Sequence, residues 1–335
     1  MIGVDRATAI ELMNRYGVQK TPFLFIIDFE MKNSIVLPLQ EIDTNDLLFA
    51  INQTNNISSL VQPNKKPTQD LFFQKYPIDF ADYSQQFEQV IRHIKDGNTY
   101  LTNLTCPTLI KMNLTLKDVF WQSEAKYKLW CKDEFVVFSP EIFIQITDNQ
   151  IFSFPMKGTI DAAIPNAEAL ILSDEKEKAE HATIVDLIRN DLSMVAEKVQ
   201  VEQFRYIEKI KTHDKTLLQV SSKIVGTLPS AYQIGDLIFK LLPAGSVSGA
   251  PKEKTMDIIL EVENYKRGFY TGILGIFDGK NLDSGVMIRF IEQCPEGLIF
   301  KSGGGITYKS QPQSEYQEMI DKVYVPIIRN HQSSR

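Results

Sequence analysis

Near the start of the chain, apolar positions recur at helical spacing as far as Gly17. Two short apolar runs follow, Phe23 to Phe29 and Ser34 to Leu37, separated by polar residues, and they predict a pair of strands. Pro38 closes the second, because proline offers no N–H to a strand ladder. Further on, Asp148-Asn149 separates the runs Ile142 to Ile146 and Ile151 to Phe154, and Asp278-Gly279 separates Gly272 to Phe277 from Leu282 to Phe290; both read as hairpins and so as antiparallel sheet. Helical patterns cover Phe80 to Lys95, Asp174 to Lys198, Lys252 to Asn264 and Gln313 to Arg329, with no regular strand-helix-strand alternation and no internal repeat. The pattern predicts an α+β fold, large antiparallel sheets flanked by helices.

The tract Asn52 to Asp70 is polar and carries Pro63 and Pro67, which predicts a loop. The expected organisation is a short N-terminal segment, residues 1–70, packing on a catalytic domain over residues 71–330, since some 50 residues alone bury too little surface to fold.

Composition narrows the function. Hydrophobic residues at 43% and charged residues at 23% of 335 are globular values that exclude disorder and coiled coil. With Lys+Arg 36 against Asp+Glu 42, a net charge of -6 and no basic run, the chain is not built for nucleic acid, and an anionic ligand has to be met by locally placed cations. The run Phe23 to Ile27 is far short of the roughly 20 residues of a membrane span, and Asp5, Arg6 and Glu11 do not suit a signal peptide, so the expected location is the cytoplasm. Cys106, Cys131 and Cys294 are an odd count without metal spacing and are expected to be reduced, buried thiols.

Four segments carry candidate chemistry. In the last helix, Glu315, Glu318 and Lys322 share one face. That face reads as a solvated charged stripe or, with Gly303, Gly304 and Gly305 just upstream baring backbone N–H groups, as a site where a divalent metal meets an anionic ligand; Mg²⁺ takes one or two carboxylates and completes its shell with water and ligand oxygens. Glu180 lies at the edge of the apolar stripe of Ile184, Leu187 and Ile188, where a carboxylate needs either a metal or a basic neighbour. Lys157, ahead of Gly158 and Thr159, is surface decoration or, if desolvated, a nucleophile or base. The turn Leu242 to Lys252, rich in small residues and hydroxyls, caps the following helix or binds a ligand.

Taken in order, the blocks Gly97 to Thr105, Ser139-Pro140-Glu141, Pro155 to Thr159, Glu180 to Leu192, Pro243 to Lys252, Arg267 to Gly272, Ile288-Arg289 and Ser302 to Glu318 resemble the chorismate-utilising enzymes, whose members include anthranilate synthase component I, aminodeoxychorismate synthase component I, isochorismate synthase and salicylate synthase. The resemblance runs from Phe80 to Tyr324 and implies the anthranilate synthase component I fold. It implies Glu180 and Glu318 as Mg²⁺ ligands, with Glu315 holding a metal-bound water. Gly158, Thr159, Tyr270, Arg289, Gly303, Gly304, Gly305 and Lys322 are implied in substrate binding, the arginine by the bidentate fit of its planar fork to a carboxylate. Glu141 is implied as the general acid for the departing C4 hydroxyl, and Ser248 as a hydroxyl where the family usually has threonine.

Lys157 stands where anthranilate synthases have alanine and aminodeoxychorismate synthases have lysine. The resemblance therefore implies attack by the Lys157 amine at C2 of chorismate, then attack by ammonia at C4, giving 4-amino-4-deoxychorismate, the precursor of p-aminobenzoate and folate. The alternatives are anthranilate synthase or another chorismate-converting enzyme, and an inactive partner-binding homologue. Leu101 replaces the glutamine or base lysine of relatives, which counts against water activation, and Gln219 replaces a histidine and cannot act as an acid. With no nucleophile-elbow cysteine, ammonia is expected from a separate glutamine amidotransferase subunit or from free ammonium.

Overall fold

A computed structural model describes residues 3–57, 71–211 and 216–326. Among the described residues, two antiparallel nine-stranded sheets form the body of the protein. Along the first run Met156–Asp161, Thr216–Thr227, Gln150–Ser153, Ile142–Thr147, Leu282–Val286, Ile273–Phe277, Phe23–Ile27 and Ser34–Pro38, with Glu197–Lys211 also paired to Thr216–Thr227. The second runs Gly249–Ala250, Leu101–Met112, Gly297–Ile306, Phe290–Cys294, Phe135–Ser139, Tyr127–Cys131, Leu47–Ile51 and Thr54–Asn55, with Phe73–Tyr76 also paired to Leu101–Met112.

Apolar side chains on the two inner faces meet in one core: Leu24, Ile26 and Ile276 from the first sheet pack with Phe49, Leu129 and Val137 from the second. The outer face of the first sheet is covered by the helices Arg6–Gln19, Glu175–Ser193 and Ile234–Leu241, which contribute Met13, Val185 and Ile238. Over the strand Leu101–Met112 lie Phe80–Lys95, Lys252–Val262 and Pro312–Asp321, joined through Phe87, Ile258 and Met319. The expected α+β architecture is present.

Both hairpins form as the turn residues predict. Asp148 and Asn149 have φ of 47° and 63°, the left-handed pair that lets a two-residue turn follow strand twist, and Phe277 pairs with Leu282 across Asp278-Gly279. Element ends differ for identifiable reasons. The first helix passes through Gly17 to Gln19, because this glycine serves a contact and not a stop: a Cβ there would lie 2.9 Å from Ile234. The run Leu282 to Phe290 is not one strand; it breaks at Met287, Ile288 and Arg289, where the chain crosses from one sheet to the other with Arg289 at φ 55°. The long helix stops at Ser193, and residues 197–198 already belong to the next strand. The last helix ends at Asp321, since buried Val323 and Val325 turn into the core and Pro326 disfavours helix before it; the rest of the expected helix lies outside the described residues. Of the polar tract Asn52 to Asp70, residues 58–70 lie outside them too, while Thr54–Asn55 forms a short strand.

Candidate active site

A cavity of about 1650 Å³ opens where the ends of both sheets meet the long helix and the last helix. Its lining includes Lys157, Glu141, Glu180, Tyr270, Arg289 and the three glycines, so segments far apart in sequence share one space. Gly158, Thr159, Glu318 and Lys322 line it too.

Lys157 sits on the strand Met156–Asp161, beside a bulge between Lys157 and Thr159 at which Gly158 takes φ 76°. The bulge re-aims the strand. The Lys157 ammonium lies 2.8 Å from Glu180, with the two side chains 32% and 22% exposed. Burial pulls the lysine pKa down, but the hydrogen bond and charge of Glu180, with the charges of Glu177 and Glu318, outweigh it, and the net shift is upward. The lysine is an ammonium as it stands. Glu180 therefore has the basic neighbour that its position at the edge of the apolar stripe requires.

Glu141 follows the strand Phe135–Ser139 and receives a hydrogen bond of 2.5 Å from the Ser246 hydroxyl. Burial raises its pKa, and the Ser246 bond and the charges of Lys322 and Arg289 reduce that rise without cancelling it. A carboxyl held towards its protonated form is what a proton donor needs. Arg289 projects from the sheet crossing with its guanidinium 5.2 Å from the centre of the Tyr324 ring. Tyr270 is 3% exposed, its ring packed on Phe290 and its hydroxyl pKa raised by burial.

The glycines occupy a strand, paired Gly303 with Thr105, Gly304 with Leu104 and Gly305 with Asn103. Their use is space: a Cβ on Gly304 would lie 3.4 Å from Glu318, 3.6 Å from Glu315 and 3.6 Å from Lys322, and on Gly303 only 2.2 Å from the Leu104 carbonyl oxygen. Lys322 bridges Glu318 at 2.7 Å and the Gly303 carbonyl at 2.8 Å. Glu315, Glu318 and Lys322 therefore share one face, as their spacing predicts.

One expectation needs correction. Ser248 is fully buried, its hydroxyl donating to the Ala244 carbonyl at 2.9 Å, and it does not line the cavity; Ser246 does. In a helical turn, side chains two positions apart diverge, so only one of the two hydroxyls can face the cavity, and the motif alone does not say which. Glu180 and Glu318, the expected Mg²⁺ ligands, both line the cavity; among the described residues, no group of three or more acidic, histidine or cysteine side chains is gathered for a metal. Lysine ammonium groups sit against Glu180 and Glu318 instead, cations already occupying the position of charge. Lys157 feels both carboxylates, and two carboxylates around one cationic position suit Mg²⁺, which needs few protein ligands. Leu101 and Gln219 also line the cavity, Gln219 opposite Thr159. All three cysteines are free, and among the described residues no helix is long and apolar enough to cross a membrane.

Arg289, a buried Glu141 whose pKa burial raises, and acidic groups around Lys157 line one cavity of a size for a small molecule. The chain belongs to the chorismate binding enzyme family, whose model matches residues 24–327. It is 53% identical over 320 residues, 95% of this chain and 96% of the other, to a protein named "Uncharacterized PabA-like protein" from Haemophilus influenzae. It is 31% identical to aminodeoxychorismate synthase component 1 from Bacillus subtilis over 263 residues, 74% of this chain and 55% of that one. The crystal structure of anthranilate synthase component I from Streptococcus pneumoniae superposes with a TM-score of 0.64 at 27% identity, covering 76% of this chain and 59% of that one. The protein is a chorismate-binding enzyme with the fold of that family.

Proposed function

We propose that the protein is an aminodeoxychorismate synthase component that aminates chorismate at C4. The observation that carries this reading is Lys157: a lysine, where the C2-aminating relatives have alanine, lines the same cavity as Glu141, whose pKa burial raises. Arg289 binds one substrate carboxylate through its fork, with Lys322 and Tyr270 beside it. Mg²⁺, held by Glu180 and Glu318 with Glu315 nearby, would supply positive charge to the ring carboxylate.

The Lys157 amine forms a C–N bond at C2 as the C4–O bond breaks, and the hydroxyl leaves as water with the Glu141 proton. Ammonia then forms the C4–N bond, the C2–N bond breaks, and Lys157 is released. Attack requires a neutral amine, so substrate entry has to part Lys157 from Glu180. Ammonia comes from a separate glutamine amidotransferase subunit or from free ammonium. Leu101 supports this reading over isochorismate formation, because it cannot activate water.

The test is incubation with chorismate, Mg²⁺ and ammonium, read by liquid chromatography and mass, with aminodeoxychorismate lyase added to half the sample. The reading predicts p-aminobenzoate only where the lyase is present. Anthranilate, isochorismate or salicylate as the product would overturn it.

A further inference from the structure

The Ser246 hydroxyl reaches Glu141 from a four-residue helical turn, Gly245–Ser248, lying between the helices Ile234–Leu241 and Lys252–Val262. So short a turn cannot hold its own position, and the structure shows what holds it. Lys252, the first residue of the helix that follows, donates to the Leu241 carbonyl at the end of the helix before the turn at 2.6 Å, so one ammonium ties together the two helices flanking the turn. The same ammonium lies 2.8 Å from Asp191 of the long helix, with both side chains about one-seventh exposed at 15% and 14%. Asp191 also abuts the turn: a Cβ on Gly245 would lie 2.9 Å from its carboxylate oxygen, so glycine is what lets the turn come this close. From the other side, Arg267 donates to the Val247 carbonyl at 2.8 Å.

We infer that Asp191 and Lys252 are positioning residues that act through the Gly245–Ser248 turn to hold the Ser246 hydroxyl on Glu141. The inference rests on the proposed reading for its catalytic meaning, but its geometric content stands apart from turnover. Lys252 does not line the cavity; Asp191 does, but the polar contact its carboxylate makes is with Lys252 and not with Glu141. Both are desolvated, so each depends on the other and removal of one frees the segment.

The experiment pairs a structure with a kinetic cycle. In a crystal structure of Asp191→Asn, or of Lys252→Met should that variant fold better, the Ser246–Glu141 separation is expected to exceed the roughly 3.0 Å reach of a hydroxyl–carboxylate hydrogen bond. Retention of the bond in both variants would overturn the inference whether or not chorismate is turned over, and its loss in a protein inactive on chorismate would keep the inference while removing the functional reading. In steady-state assays Asp191→Asn is expected to lower kcat roughly tenfold with KM for chorismate nearly unchanged, and in a Ser246→Ala background to lower it less than about twofold further, because the two act as one unit. Full additivity of the two losses, or an effect confined to KM, would show that Asp191 does not work through Ser246. Gly245→Ala, which pushes on the Asp191 carboxylate, is expected to give the same kcat loss; wild-type kcat in that variant would count against the clasp.

Discussion

Lys157→Ala separates the nucleophile's role from a binding role. The substitution removes the ammonium that lies 2.8 Å from Glu180 and that also feels the charges of Glu177 and Glu318. Because the pair is 32% and 22% exposed, its loss falls between a surface ion pair, about 0–1 kcal/mol, and a broken buried one, about 3–5 kcal/mol. A destabilisation of about 1–2 kcal/mol follows, a fall of a few degrees in Tm that leaves the fold intact. Catalysis suffers far more, since removing a covalent nucleophile takes away the whole two-step route; a loss of roughly 10³-fold or more in kcat is expected, with chorismate still binding through Arg289. Calorimetric titration with chorismate and chromatographic measurement of C4 amination read the two quantities on the same sample. Unimpaired amination by the variant refutes the covalent route, and loss of chorismate binding with normal turnover at saturation assigns Lys157 to binding instead.

Glu141→Gln keeps the shape but not the proton, and is expected to lower kcat by about 10²–10⁴ with little change in KM. A general acid must be protonated, and the Glu141 pKa is raised by burial, so the wild-type rate should hold below that raised pKa and fall as pH rises through it; a rate independent of pH on that limb in kcat profiles argues for another donor. Arg289→Lys loses the bidentate fork, and KM for chorismate should rise roughly 10–100-fold, as expected for one charge-assisted hydrogen bond; an unchanged KM removes Arg289 from substrate binding. His181 is 1% exposed, bonds Ser222 at 2.7 Å, and burial first, then Arg205 and Lys157, lower its pKa from 6.5 to about 4. Its folded pKa being the depressed one, its contribution is full above pH 6.5 and up to about 3 kcal/mol is lost as pH falls to about 4, so His181→Gln should flatten denaturant-measured stability across that window; an equally steep profile in the variant assigns the acid sensitivity elsewhere.

Much of this was legible from the chain because local chemistry decided it. Asp148-Asn149 and Asp278-Gly279 force turns whatever surrounds them, and the offsets of Glu315, Glu318 and Lys322 put them on one helical face. What stayed hidden depended on tertiary contact. The glycines at 303–305 read in sequence as backbone N–H groups bared for an anion, yet a partner strand and the carboxylates across from Gly304 make them strand residues that clear space. Gly17 looks like a helix stop until Ile234 is seen against it. The choice between Ser246 and Ser248 turned on the rotation of a four-residue turn that Asp191, Lys252 and Arg267 fix from outside. The lysine against Glu180 comes from a neighbouring strand, a pairing no linear motif shows, whereas Lys322 against Glu318 is an i,i+4 pair that the spacing already implies.

The claim at the centre of this account is that the Lys157 amine bonds to the substrate ring. Its most direct test is intact mass spectrometry of the protein quenched after incubation with chorismate and Mg²⁺ in the absence of ammonium, followed by peptide mapping. The account predicts a species heavier by one chorismate less one water, mapped to Lys157 and absent from Lys157→Ala. Chorismate consumed with no adduct under rapid quench, or an adduct on another residue, would contradict it.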